Sequence, residues 1–463
     1  MKKNLFKLFA VFATVALLAS SCTKSPKYVF LMIGDGMGIN EAVGAEIYNE
    51  AAGLGQNTIN FLSFPVRTFV TTRCASTLVT DSSAAGTALA TGTKINMGGM
   101  GIDPEGNVLT TIAERAKAVG FGAGVATSVG LNHATPAAFY SHTASRNDYD
   151  AIAEQFIASS LDFGAGAGFN LERKAGKTAE DYVEEAKAAG IEVFCGKESF
   201  KDINTSNRVL CLGDDLKLNE LPYAINQTEE NTNLSDFTKA AISHLYANYA
   251  KKGFFLMVEG GMIDHACHDD DAATTCEEVN DFARAIDVVL DFYNQHKNQT
   301  LIVVTADHET GGLMLGAGGY EMQPQKLIHQ KVSEGVLSSK VQALSADGKT
   351  PTWEEVKAVL SENLGLWTEV EVDPATEASF LEIYNETYVK KAANDVHAWY
   401  SRNSKIASAA VDFVDKASCY GWSFGAHSGS PVGLYAIGAG SEAFAACRDN
   451  TDIPKTIAEL AGY

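Results

Sequence analysis

Five short apolar runs rich in β-branched residues, each closed by a polar or glycine-rich turn, constrain this chain more than any other feature. They are Tyr28–Ile33, Gly122–Val129, Phe254–Val258, Leu301–Thr305 and Val432–Ile437. Segments with helical periodicity, such as Thr110–Ala118 and Cys276–Tyr293, lie between several of them. This alternation predicts an α/β fold: a three-layer α/β/α sandwich with a mostly parallel central sheet. In such sheets functional sites form at the carboxyl ends of the strands. Most of the aspartates, histidines and serines singled out below fall at those ends.

One stretch breaks the rhythm. Residues 319–420 are rich in helical pattern and poor in strand signals, and Thr352-Trp353-Glu354-Glu355 reads as a capping box opening a helix over Trp353–Leu364. Ala375–Ala393 and Ser404–Lys416 also read as helices. The simplest organisation is a core over 22–318 and 421–463, interrupted by a helical, crown-like insertion over 319–420. Residues 1–21 read as an export leader: Lys2, Lys3 and Lys7, then the apolar run Leu8–Leu18, then Ala19-Ser20-Ser21 before Cys22. That run is too short for a durable membrane span. The small residues before Cys22 resemble a bacterial lipobox, so lipidation at Cys22 is expected, with a plain signal peptide as the alternative. Either way the mature protein is exported. Thr23–Lys27 carries no acidic run, which makes the periplasm the expected compartment and a lipid anchor the expected membrane contact.

The formal charge of −21 argues against a broad nucleic-acid grip, which needs a basic footprint. An anionic substrate is still compatible, provided bound metals and a well-placed arginine supply positive charge locally. Seven cysteines follow Cys22: Cys74, Cys195, Cys211, Cys267, Cys276, Cys419 and Cys447. In an oxidising compartment some are expected to pair, and Cys195/Cys211 and Cys267/Cys276 are close enough in sequence to close short loops. The absence of a Cys-x-x-Cys pair argues against a thiolate zinc module.

The chemistry concentrates in a few motifs. The first run ends in Gly34-Asp35-Gly36-Met37-Gly38. Alone this reads as an ordinary turn; functionally it is a carboxylate on a loop that can crowd close to metals. In Thr80-Asp81-Ser82-Ser83-Ala84, Ser82 opens a small-residue helix. The residues leave two readings open there, a helix cap or a phosphate cradle. Asn132-His133-Ala134-Thr135 follows a strand, and Ser145-Arg146 comes soon after. A guanidinium holds two phosphate oxygens at once, although a lone arginine is usually a solvated surface residue. Glu259-Gly260-Gly261-Met262-Ile263-Asp264-His265-Ala266-Cys267-His268 is the strongest local signal. Asp264 and His268 stand four apart, on one face of a helical turn, and can share a metal. Asp307-His308 closes another run and needs a bend to aim both side chains at one ion. His427 matters only as the missing partner of a site that already has two ligands.

Taken in order, these seven motifs resemble the alkaline phosphatase family, from about Lys27 to the C-terminus apart from the helical insertion. The resemblance implies that Asp264, His268 and His427 hold a first Zn2+. It implies that Asp35, Asp307 and His308 hold a second, joined by Ser82 as nucleophile. Asp35, Thr135 and Glu259 would form a third site, usually Mg2+, and Arg146 would bind phosphate. The implied reaction is hydrolysis of a broad range of phosphate monoesters through a phosphoserine, with net retention at phosphorus. A homodimer is implied as well, with 319–420 in the position of the family's crown. The best-known bacterial member has aspartate at the place of His133 and lysine at that of His265; the histidine pair is similar to the animal enzymes. Imidazole suits Zn2+ or Co2+ better than Mg2+, which opens the identity of the third metal. Without that lysine, product phosphate is expected to leave faster.

Rival readings are weaker. Ser63-Phe64-Pro65-Val66-Arg67 loosely matches a sulfatase pattern, but Thr71-Thr72-Arg73 stands where Leu-Thr-Gly usually follows. Diesterases of the superfamily generally lack the equivalent of Arg146 and often use threonine, so Ser82 with Arg146 favours monoesters. A non-catalytic phosphate- or metal-binding lipoprotein would be expected to have lost a ligand or the nucleophile, and here the set is complete.

Overall fold

The computed structural model describes residues 25–171, 176–397 and 402–463; the leader and Cys22 lie outside the described residues. In chain order the strands are β1 (Tyr28–Gly34), β2 (Val66–Val70), β3 (Gly122–Thr127), β4 (Phe163–Gly166), β5 (Glu192–Cys195), β6 (Val209–Leu212), β7 (Phe254–Gly260) and β8 (Thr300–Thr305). Short pieces follow: β9 (Glu309–Thr310), β10 (Met314–Leu315), β11 (Asp395–His397), β12 (Arg402–Ser404), β13 (Tyr420–Gly421) and β14 (His427–Ser428), and then the long β15 (Val432–Gly438). All five runs identified in the sequence are strands.

Nine strands form one sheet in the order β2-β15-β8-β1-β7-β3-β4-β6-β5. Only β15 runs antiparallel to its neighbours; the other pairs are parallel. Every residue of β1, β3, β7 and β8 is buried. That explains why these strands read as unbroken apolar runs: both faces are covered by helices, and neither needs polar residues. The longest helix, Ala272–His296, begins at Asp271, whose side chain accepts the Thr274 N–H, and packs against the helices Ile39–Ala51 and Leu234–Tyr249.

Register positions the site. Ile33 of β1 lies opposite Glu259 of β7 on one side and Thr305 of β8 on the other. Thr127 of β3 also lies opposite Glu259. The loops that leave β1, β7 and β8 therefore open at one edge of the sheet.

The insertion forms helices at Glu334–Ala343, Trp353–Leu364, Pro374–Tyr384 and Lys405–Ala417. The capping box is present: Thr352 N donates to Glu355 Oε2 at 2.8 Å, and Glu355 N to Thr352 Oγ1 at 3.2 Å. The helix expected over Ala375–Ala393 is shorter, ending at Tyr384 in a π turn over Asn385–Val389, and Lys391 then turns left-handed at φ 56°. The antiparallel pairing of β11 with β12 was not legible in the sequence. Leu337, Val356, Leu360 and Ile406 belong to the same continuous buried cluster as the sheet, so the insertion shares the core.

The expected cysteine pairing is corrected: all seven described cysteines are free thiols. Cys195 lies opposite Leu212 across β5 and β6, one residue out of step with Cys211. Side chains alternate along a strand, so the two sulfurs leave opposite faces of the sheet. Cys267 and Cys276 are both buried in the core. The Ser63–Arg67 pattern falls on a 3-10 turn and on β2 at the sheet's edge. No helix of the described residues is long and apolar enough to cross a membrane.

Candidate metal centre and active site

Asp35 is the first residue past β1, and its N–H donates to Gly260 O at 3.2 Å. Gly36 then turns at φ 71°, where a Cβ would stand 2.8 Å from Asp264 Cα. Only glycine gives this left-handed turn so close an approach. The short helix Met262–His268 sets Asp264 and His268 on one face, with His268 Nε2 3.4 Å from Asp264 Oδ2. The bend required of Asp307-His308 exists. Asp307 Oδ1 accepts the N–H groups of His308 and Gly36, which folds the carboxylate back and leaves Oδ2 3.2 Å from His308 Nε2. His427 arrives on β14, opposite Thr310 of β9.

The three imidazoles are held in one sense. His268 Nδ1 faces Gly425 O at 3.0 Å and His427 Nδ1 faces Thr80 O at 2.9 Å. A carbonyl only accepts, so both Nδ1 atoms carry hydrogen. Thr310 Oγ1 lies 2.5 Å from Asp264 Oδ1 and 3.2 Å from His308 Nδ1. Its single hydrogen goes to the carboxylate, so it accepts from His308 Nδ1–H. All three Nε2 atoms are thereby turned toward the acids, the arrangement in which outer partners orient metal-ligating histidines.

The convergent atoms fit cations. His268 Nε2 and His427 Nε2 are 3.2 Å apart, and His427 Nε2 is 3.8 Å from Asp264 Oδ1. His308 Nε2 lies 3.5 Å from Asp35 Oδ1 and 3.2 Å from Ser82 Oγ. Tetrahedral zinc ligands at about 2.0–2.1 Å from the ion stand about 3.4 Å from one another. Asp35 Oδ1, Glu259 Oε1 and Asp307 Oδ2 are buried and accept no hydrogen bond. Such orphans are costly unless a cation meets them. Burial, then Asp307, Asp264 and Glu259, pushes Asp35 well above the usual carboxylate range; burial and Asp264 do the same to Asp307. Burial also works on Asp264, but His268, His427 and His308 outweigh it and hold that carboxyl well below its ordinary value. Among the described residues, three groups have ligand atoms close enough to share an ion: Asp264/His308/His427, Asp35/Asp307/His308 and Asp35/His133/Glu259.

Ser82 opens the helix Ser82–Thr91, and Asp81 is its cap, accepting from Ala84 N at 3.2 Å. The capping role is therefore filled by Asp81, and Ser82 stands as the first helical residue. Gly86 lets this helix approach Thr135, whose Cα would stand 3.3 Å from an added Cβ. Asp81 Oδ2 also accepts from Arg146 Nη1 at 3.3 Å, so the guanidinium is held beside the helix start.

Glu259 accepts the Thr127 hydroxyl, and Thr135 Oγ1 donates to Asp35 Oδ2 at 3.2 Å. His133 Nε2 lies 3.4 Å from Arg146 Nη2, and its ring meets that of His265 edge to face at 5.8 Å. Burial, then Arg146, holds His133 well below its ordinary pKa. His265 Nδ1 is 3.3 Å from Glu220 Oε1. The structure thus brings together every described residue that the sequence nominated.

Sequence reasoning missed Thr310, Thr127 and Glu220. Thr310 stands two residues from His308, the spacing that returns a strand to the same face, and that was its one available signal. Nothing local marks Thr127 or Glu220.

The alkaline phosphatase family model matches residues 26–463. Alkaline phosphatase 4 of Bacillus subtilis is 33% identical over 81% of this chain and 75% of its own length. The crystal structure of a cold-active alkaline phosphatase from a psychrophilic Shewanella is 31% identical, covers 94% of this chain and 99% of its own, and superposes with a TM-score of 0.78. That of Thermus thermophilus alkaline phosphatase is 25% identical, covers 95% and 92%, and superposes at 0.76. With the ligand clusters at the strand ends and these likenesses over nearly its whole length, the chain belongs to the alkaline phosphatase family and is a phosphoric monoester hydrolase.

Proposed function

We propose that the chain hydrolyses a broad range of phosphate monoesters through a phosphoserine formed at Ser82. The observation that carries this reading is Ser82 Oγ at a helix start, 3.2 Å from His308 Nε2 and next to the Asp81–Arg146 pair. Asp264, His268 and His427 suit one Zn2+, and Asp35, Asp307 and His308 a second. Asp35, Glu259 and Thr135, with His133 at the edge, suit Mg2+ or, through the imidazole, Zn2+ or Co2+. When bound, these ions supply Lewis-acid charge that lowers the serine pKa and stabilises the departing alkoxide.

The chain's own groups do the rest. Ser82 Oγ attacks phosphorus in line, the ester P–O bond breaks, and the alcohol leaves with a proton. The Arg146 guanidinium and the N–H groups at the helix start hold the non-bridging oxygens. Water then displaces Ser82 from phosphorus and releases inorganic phosphate. Each displacement inverts, so the net course is retention. We further place the mature protein in the periplasm as a lipoprotein anchored at Cys22, and as a homodimer, the commonest closed assembly. The test is p-nitrophenyl phosphate turnover at alkaline pH before and after chelation, then with Zn2+ and Mg2+ restored, beside Ser82→Ala. Chelator-sensitive turnover that zinc rescues and the variant nearly abolishes supports the reading. A fully metallated protein without monoester turnover overturns it.

A further inference from the structure

The cavity over the ligand cluster has a volume of about 590 Å³, in the range of pockets that enclose whole small molecules and more than a phosphate needs. His268, His427 and Arg146 line its phosphate end. The rest of the lining includes a polar wall of Asn147, Tyr149, Asn170, Asn219 and Glu220, none of which is a metal or phosphate ligand above.

This wall is built and braced. Buried Asn132, next to His133, accepts Asn170 N at Oδ1 (2.7 Å) and donates Nδ2 to Asn170 O and to Tyr149 O. One side chain thereby ties two wall segments to the catalytic loop. Asn219 Nδ2 donates to Asn170 Oδ1 at 2.6 Å, which fixes both carboxamides and turns Asn219 Oδ1 away from Asn170. Asn170 Nδ2 is buried without a hydrogen-bond partner, over Gly130, where a Cβ would stand 2.8 Å from it. Packed there, that nitrogen is closed to the cavity, so Asn170 acts as a brace of the wall and not as a ligand contact.

We propose that this wall is a leaving-group subsite for neutral, hydroxylated alcohols, so that sugar or polyol monophosphates are the preferred esters; this rests on the monoesterase reading above. A hydroxyl both donates and accepts, and the lining offers both kinds of partner in the carboxamides of Asn147 and Asn219, the Tyr149 phenol and the Glu220 carboxylate. Val79, Met97 and Val129 supply an apolar surface for the C–H face of such a group. Among the described residues no lysine or arginine other than Arg146 lines the cavity, and Asp81 and Glu220 stand in it, which disfavours a leaving group bearing a second phosphate or a carboxylate.

The experiment compares kcat/KM for glucose 6-phosphate with that for cyclohexylmethyl phosphate, in the wild type, Asn219→Ala and Asn147→Ala. Using the ratio within each protein cancels any general loss of activity. The wild type should favour the sugar ester by about tenfold or more, and each variant should lower the ratio by about threefold to tenfold, as expected for one or two neutral hydrogen bonds. A wild-type ratio near unity, or variants that keep the wild-type ratio, overturns the subsite. Should Asn219→Ala fail to fold, the wild-type ratio and the exposed Asn147 still decide. p-Nitrophenyl phosphate separates the two failures: no turnover sinks the monoesterase reading, whereas turnover with a flat ratio sinks only the subsite.

Discussion

Thr310→Val removes one oxygen that braces two ligand groups at once. The hydroxyl donates to Asp264 Oδ1 at 2.5 Å and accepts from His308 Nδ1 at 3.2 Å, in full burial. Valine keeps the β-branched shape and leaves no cavity, so the change isolates the hydrogen bonds. The bond to the Asp264 carboxylate is charge-assisted and short, a class worth about 1.5–3 kcal/mol. If about 2 kcal/mol of ligand orientation is lost, zinc affinity falls about 30-fold, inside the range of about 10- to 100-fold seen when outer partners of metal ligands are removed. The assay is zinc competition against a chelator of known affinity, with the rate of activity loss in that chelator as a second readout. Thr310→Ser, which keeps the hydroxyl, should restore most of the affinity. Zinc affinity and inactivation rate in Thr310→Val within about twofold of wild type would refute the tautomer argument on which this estimate stands.

Further outcomes follow from other residues. His265→Lys puts an ammonium where an imidazole now leans on Glu220 at 3.3 Å; phosphate inhibition should tighten by about tenfold, the worth of one charge-assisted hydrogen bond, and unchanged inhibition would count against fast product release here. Gly36→Ala forces a side chain into a left-handed turn at φ 71°, against Asp264; it should cost about 1 kcal/mol or more of stability and weaken zinc retention, both read from melting with and without added metal. Burial pushes Glu278 up to about 8 from 4.5. The folded chain therefore keeps a proton that the unfolded chain has released, and stability is full below about 4.5 and is lost as pH rises toward 8. Glu278→Gln should narrow the fall in melting temperature between about pH 6 and about pH 9, and an equal fall in both proteins would rule this group out as its source.

How much of this was legible in the sequence depended on the range of the signal. The strands were readable because burial on both faces leaves a continuous apolar run, as in Val29–Ile33. Asp264 and His268 were readable because their partnership is a property of helical spacing alone. The Trp353–Leu364 helix was readable because its cap lies within four residues. Register carries no local mark: that Ile33, Glu259 and Thr305 end side by side follows from pairing across more than two hundred residues. Thr310 and Glu220 escaped for the same reason, being ordinary residues until the fold sets them against Asp264 and His265. Cys195 and Cys211, close enough in sequence to pair, are kept apart by register too, since sequence separation says nothing about which face of a sheet a sulfur leaves.

The phosphoserine at the centre of this account is tested most directly by the stereochemical course at phosphorus. A monoester made chiral with oxygen isotopes is turned over in the presence of an acceptor alcohol, and the configuration of the transferred phosphoryl group is read. Two in-line displacements, first by Ser82 and then by the acceptor, predict net retention. Inversion would mean direct transfer in a single displacement, and Ser82 could not then be the nucleophile.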